Sequence, residues 1–247
     1  MNALQVLWRR QVIKYLRSRS RIIGSLGQPL LFLLVFGLGF GKIFEAAGQG
    51  SYIKLLAPGI MIMSVVFTAI FTGIEIIWDR QFGFLKETLV APVSRFSIMF
   101  GKTLGGATVS VIQGVIVFII TLLVGFHPIW AGVVPAIIGL FIIGALFSAF
   151  GIALASKLKD MQSFPIVMNF VVMPLFFLSG SLFPLNTAPT VLKILTEINP
   201  LTYGVDLIRG LLGGVYQFSL GLDSIVLLVA TALVILWGAY SFKKIEA

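Results

Sequence analysis

The chain has 247 residues, 58% of them hydrophobic and only 11% charged, with a mean hydropathy of +1.06. A water-soluble domain of that length needs more polar residues to cover its surface, so the composition excludes one and points to lipid, with length for about six spans of ~20 residues. The lack of cysteine excludes disulfides, thiolate metal sites and cysteine nucleophiles, and the net charge of +9 lies beside apolar runs rather than in one patch suited to nucleic acid.

Residues 1–21 precede the first apolar run. Leu4, Leu7, Trp8, Val12 and Tyr15 recur on one side of a helix, and Arg10, Lys14, Arg17 and Arg21 on another. This spacing predicts an amphipathic helix lying at the membrane surface, anchored at headgroup level by Trp8 and Tyr15; a charged tail that only sets orientation is the plainer alternative. No small-residue cleavage site follows, so the first run is expected to be a retained span.

Six apolar runs stand out at 22–42, 56–78, 97–125, 131–156, 164–183 and 221–242, and they predict an all-α integral membrane fold of six transmembrane helices in one domain. Gly24, Gly27 and Pro29 are expected to delay the first helix until about Leu30. The pairs Gly37/Gly41 and Gly101/Gly105 have the spacing that permits close helix packing. Glu75 is a carboxylate inside the second run, about one turn before Trp78, Asp79 and Arg80. It reads either as an interfacial structural residue or as a pathway residue for transport or proton coupling.

The charges between runs set orientation. Segments 1–21, 79–102, 157–163 and 243–247 hold fourteen of the 18 basic residues against Asp79, Glu87, Asp160 and Glu246. On the opposite side Lys42, Lys54, Lys193 and Arg209 are matched by Glu45, Glu197, Asp206 and Asp223. The basic side is expected to be cytoplasmic, with both termini on it. Short connections at 125–131 and 156–163 predict that the third, fourth and fifth spans are antiparallel neighbours. The long connections, about 79–96 and 184–220, are where specific function is expected.

Catalytic chemistry is sparse. His127 stands alone in a turn beside Pro128, and no pair of carboxylates has metal-binding spacing. The stretch Phe100-Gly101-Lys102-Thr103 imitates the end of a phosphate-binding loop, but Phe96 occupies the position where that loop needs its first glycine. Lys102 reads instead as a basic residue snorkelling at the start of the third span.

The loop Asp79-Arg80-Gln81-Phe82-Gly83-Phe84-Leu85-Lys86-Glu87-Thr88-Leu89-Val90-Ala91-Pro92-Val93-Ser94-Arg95 resembles the first cytoplasmic loop of type-2 ABC exporter permeases, which move drugs, lipids and polysaccharides. From the residues alone, 79–90 makes about three helical turns with Phe82, Leu85 and Leu89 on one face, Pro92 stopping the helix and Ser94 capping the next. A second match lies at Leu178-Ser179-Gly180, Phe183-Pro184 and Asn199-Pro200-Leu201-Thr202-Tyr203, followed by Asp206 and Arg209. It is similar to the family's external segment, two short helices that dip back into the outer leaflet. Stretches 187–197 and 202–212 suit such helices, and Asp206 and Arg209 are spaced to pair on one face.

The resemblance implies that 79–93 is a coupling helix docking into a separate ATPase subunit, through Asp79, Arg80, Phe82, Gly83, Leu85, Leu89 and Pro92. It implies a re-entrant external segment over 184–212. It also implies two ATPase subunits that bind the ATP and Mg, no cofactor in this chain, a second permease copy or a homologue, and the prokaryotic plasma membrane. A hydrophobic drug, a lipid or a lipid-linked glycan would be moved out of the cytoplasm. Gln81 departs from the acidic residue that relatives often carry there. The alternative is a self-contained ion-coupled secondary carrier using Glu75.

Overall fold

The computed structural model describes residues 3–46, 51–85, 90, 92–158, 160–183 and 189–245, and all regular structure among them is helical. The helices are α1 (Ala3–Arg17), α2 (Arg19–Ala46), α3 (Tyr52–Gln81), α4 (Arg95–Leu123), α5 (Val133–Lys157), α6 (Ser163–Val167), α7 (Met173–Phe177), α8 (Thr190–Ile198), α9 (Pro200–Gly213) and α10 (Leu220–Lys243). Among the described residues five segments are long and apolar enough to cross a bilayer, in α2, α3, α4, α10 and the stretch Trp130–Lys157 that contains α5. With this composition they make the chain a multi-pass membrane protein.

The first helix does not wait for Leu30. α2 starts at Arg19 and runs through Pro29, which is buried. Pro29 leaves one carbonyl without its helical partner, yet breaking the helix in lipid would strand several, so the unbroken helix costs less. The chain breaks instead at Ser18, whose N–H bonds Tyr15 O at 3.0 Å while its own carbonyl accepts from Arg21 at 3.1 Å.

The fifth apolar run also departs from expectation. Ser163–Phe177 is an apolar helix of only about 22 Å at 1.5 Å per residue. It is split by a π-helical turn at Met168–Val172. Pro174 offers no N–H to the preceding turn, and a shift of register there accommodates the missing donor. Gly180 then turns the chain at φ 74°. The run meets α3 through ring pairs Phe71–Phe164 at 5.5 Å and Phe67–Phe176 at 6.2 Å.

α3 is the central helix, buried along most of its length. It crosses α5 so closely that a Cβ on Gly73 would lie 2.3 Å from the carbonyl carbon of Gly151. At the same level Gly106 of α4 faces the hydroxyls of Thr72 and Ser148, which hydrogen-bond each other at 3.1 Å. Small residues thus let three apolar helices touch backbone to side chain, the main source of packing where water provides no drive between spans. By contrast α2 and α10 leave most of their apolar surface outward, as lipid permits.

α1 runs in the same direction as α4. Leu4 meets Gly101, Gln11 meets Gly105, Trp8 Nε1 donates to Thr108 Oγ1 at 2.9 Å, and the Tyr15 hydroxyl donates to Gln113 Oε1. The apolar stripe expected to lie on headgroups therefore packs against α4, burying Tyr15 and leaving Trp8 exposed. Gly101 and Gly105 are the reason, because a side chain at either would push α1 away.

Candidate functional site

The basic end of the bundle carries the first group of sequence-predicted site residues. α3 includes Asp79 and Arg80 and ends at Phe82, whose N–H reaches Trp78 O at 2.9 Å, and Gly83 turns the chain at φ 81°. One helix over 79–90 is thus not what forms: residues 79–81 close α3, and a left-handed glycine separates them from Phe84 and Leu85. Phe82 is 65% exposed against Trp78, whereas Leu85 is fully buried among Ile76, Ile77, Ile98, Met99 and Phe242. Phe82 and Leu85 do not share a face, since the turn at Gly83 points one out and the other in. Leu89 lies outside the described residues.

This loop has a rigid foot. Lys102 Nζ donates to Asp79 Oδ2 at 2.5 Å, with the two side chains only 10% and 14% exposed, tying the end of α3 to the start of α4. Lys102 does not snorkel to the headgroups; Asp79 holds it inside. Arg80 donates to Leu158 O beyond α5. On the far side Ser94 caps α4, accepting from Ser97 N at 3.1 Å, as its position predicts. Arg95 donates to Lys243 O and Ile245 O at 3.0 and 2.7 Å, pinning the end of α10. Pro92 is exposed just before that cap. The two ends of the loop are therefore held to four helices through ionic and backbone contacts.

Beside the foot, α1, α2 and α3 enclose a cavity of about 730 Å³. Its polar corner is Glu75, which accepts from Arg21 Nη1 at 2.5 Å and Gln11 Nε2 at 2.9 Å, with Lys14 Nζ at 3.4 Å. Tyr15, Ser25 and Gln28 add polar edges, and Met63, Phe67, Phe71 and Ile74 give an apolar wall. Lys14 and Arg21 were legible on one polar side with Arg10 and Arg17, but Gln11 as their companion and Glu75 as their target were not. Arg10 and Arg17 are exposed and line an adjoining groove with Lys14 and Arg19. Among the described residues no group of three or more side chains converges to hold a metal.

The opposite end holds the second group. Asn199 caps α9 by accepting from Leu201 N at 3.0 Å and donates to Leu175 O at 2.6 Å, so the Asn199-Pro200 turn is tied to α7. Tyr203 donates to Glu197 O at 2.8 Å, holding α8 to α9. Asp206 and Arg209 do not pair with each other. Asp206 accepts from Gln217 N at 2.8 and 2.9 Å and Phe218 N at 2.7 Å, whereas Arg209 donates to Gly180 O at 2.8 Å. Three backbone contacts on a loop outcompete one side chain for the carboxylate. Ile129 N bonds Leu212 O at 2.8 Å and Gly132 abuts Leu211 O, so this end is closed by α9 packing over the α4–α5 turn. Asp223, which the sequence offers only as one charge of that side, is buried in the first turn of α10.

The geometry thus shows a helical membrane bundle with a loop braced at its basic end and a capped pair of short helices at the other. Residues 2–212 match the family model described as ABC-2 type transporter. This chain belongs to the ABC-2 type transporter family. Among its relatives, the putative transport permease ycf38 of Cyanophora paradoxa is 32% identical over 210 residues, covering 83% of this chain and 72% of the relative. The nodulation protein J of Rhizobium leguminosarum bv. trifolii is 26% identical over 211 residues, covering 84% and 80%. The putative transport permease ycf38 of Pyropia yezoensis is 30% identical over 214 residues, covering 82% and 71%. As an ABC-2 permease it is a transport component of the membrane, and the family normally pairs such a subunit with an ABC ATPase.

Proposed function

We propose that this chain is the membrane-spanning subunit of an ATP-driven exporter, powered by two copies of a separate ATPase that bind the ATP and Mg. The observation that carries the reading is the exposed Phe82 at the end of α3, where a loop begins whose ends are held to α3, α4, α5 and α10. An aromatic side chain on a rigid mount is what a groove in a soluble partner can grip and move. The excess of ten positive charges on that side supports a cytoplasmic placement of the loop and of both termini in a prokaryotic plasma membrane.

Ser163–Phe177 serves as the fifth of six spans, short but completed by the Leu178–Phe183 turns, and α8 with α9 forms the re-entrant pair on the external side before α10. The pathway forms with a second copy or a homologous permease, and its cargo is a hydrophobic drug, a lipid or a lipid-linked glycan. The relatives named transport permease and nodulation protein J support transport as the activity.

Affinity purification of the tagged chain from its host in mild detergent tests this reading. An ATPase of ABC type co-purifies with the wild type, and Phe82→Asp, which leaves Leu85 in the core, removes it while the permease remains monodisperse. A wild-type preparation without any ATPase overturns the reading and leaves the ion-coupled carrier built on Glu75.

A further inference from the structure

The corner at Glu75 is unusual in its direction of supply. Three donors from α1 and α2 converge on one acceptor group from α3: Arg21 at 2.5 Å, Gln11 at 2.9 Å and Lys14 at 3.4 Å. Glu75 is 14% exposed, Arg21 29% and Lys14 54%, so the acceptor is sheltered and the donors can be reached from outside. Arg10, Arg17 and Arg19 line the groove that shares Lys14 with the cavity. Two cations therefore contact the single carboxylate and three more line the adjoining groove, so the site stays positive after Glu75 is paired. Behind this corner the wall is Met63, Phe67, Phe71 and Ile74, with Pro29 and Trp78 at its sides.

From this arrangement we propose that the cavity between α1, α2 and α3 binds an anionic amphiphile with a phosphate-type head, and that Glu75 is an internal anion which the head displaces from Arg21 and Lys14. The inference rests on the reading that the chain moves an amphipathic cargo, and it narrows that cargo. A guanidinium, an ammonium and an amide N–H offer together what a phosphate with several terminal oxygens accepts, and guanidinium is suited to a forked contact. The apolar wall takes the tail, and a cavity of about 730 Å³ is within the usual size for a small-molecule site. A cationic amphiphile would meet uncompensated charge of its own sign, and a neutral one would leave the existing pairs untouched. Displacing Glu75 also unties α1 and α2 from α3, so arrival of the head loosens the contact that holds the two sides of the cavity together.

Trp78 reports on the cavity directly. With Trp8, Trp130 and Trp237 replaced by Phe, it is the sole tryptophan among the chain's four, and its fluorescence is read in phosphatidylcholine nanodiscs carrying a tail-brominated probe lipid. Brominated phosphatidic acid is expected to quench Trp78 at about a tenfold lower mole fraction than brominated phosphatidylcholine, and Arg21→Gln or the more exposed Lys14→Gln removes most of that preference. Glu75→Gln has the opposite sign: by releasing the cations it strengthens quenching by phosphatidic acid several-fold. Millimolar glycerol 3-phosphate, a head without a tail, leaves the quenching in place.

A Glu75→Gln effect in the same direction as Arg21→Gln would make Glu75 a structural support and overturn the proposal. Equal preference in all variants would assign it to general attraction at the bilayer surface. Relief by glycerol 3-phosphate would assign the site to a soluble phosphate. The assay uses the permease alone, so its outcome is independent of whether an ATPase co-purifies.

Discussion

Gly73→Leu is expected to abolish recovery of monodisperse protein from detergent, while Gly39→Leu leaves the yield unchanged. Both glycines lie in apolar helices, and helix propensity favours leucine at each. The difference is contact. A Cβ at Gly73 would sit 2.3 Å from the Gly151 carbonyl carbon and 2.5 Å from its oxygen, whereas nothing lies within 4 Å of one at Gly39. The obstruction is backbone and cannot rotate away, so α3 and α5 must separate. Separation would also break the Thr72–Ser148 bond and open the packing of Gly106 against both hydroxyls. Overpacking a core commonly costs about 1–3 kcal/mol, and a backbone clash at the central crossing lies at or above the top of that range. Size-exclusion profiles of the two variants decide it. A monodisperse Gly73→Leu protein would mean that α3 and α5 do not cross as described.

The ion pair of Asp79 and Lys102 gives the second large effect. Asp79→Leu and Lys102→Met, made singly, are each expected to cost about 3–5 kcal/mol, because each leaves a sheltered charge without its partner. The double variant Asp79→Leu/Lys102→Met recovers most of that loss, since an apolar pair of similar volume needs no compensation. Thermal unfolding of the purified variants reads the difference. Additive losses in the double variant would show that the two side chains are solvated separately, against the 2.5 Å contact. The pair's place explains why it matters: it clamps the two helices that enter and leave the braced loop.

How far the sequence revealed this arrangement depends on the kind of signal. Apolar runs located the spanning helices because lipid demands unbroken backbone pairing, and that same demand carried α2 through Pro29 against the local propensity of Gly24, Gly27 and Pro29. Ser94 was legible as a cap because its partner, Ser97, is three residues away. Partners distant in sequence were not legible. Glu75 finds Arg21 and Gln11 across more than fifty residues, and Lys102 finds Asp79 across a loop.

Spacing also misled where a single glycine changed direction. Phe82 and Leu85 share a face only if the helix continues, and Gly83 at φ 81° ends it. The glycine pairs divided in the same way. Gly101 and Gly105 seat α1, whereas a Cβ added at Gly37 would touch only a Leu56 methyl at 3.7 Å and one at Gly41 would meet nothing within 4 Å. A small-residue pattern marks where helices could approach; only tertiary placement tells where they do.

The reading of this chain as the membrane half of an ATP-driven exporter stands or falls at Phe82. Because the chain contains no cysteine, Phe82→Cys creates a single reactive thiol at the exposed end of α3. A short photoactivatable maleimide attached there, irradiated in native membranes, is expected to give one dominant adduct containing an ABC-type ATPase, and the same label at Tyr216→Cys at the other end of the bundle is expected to give none. An ATPase adduct from Phe82→Cys alone is the result predicted. Labelling of lipid only at Phe82, or of the ATPase from both ends alike, would contradict it.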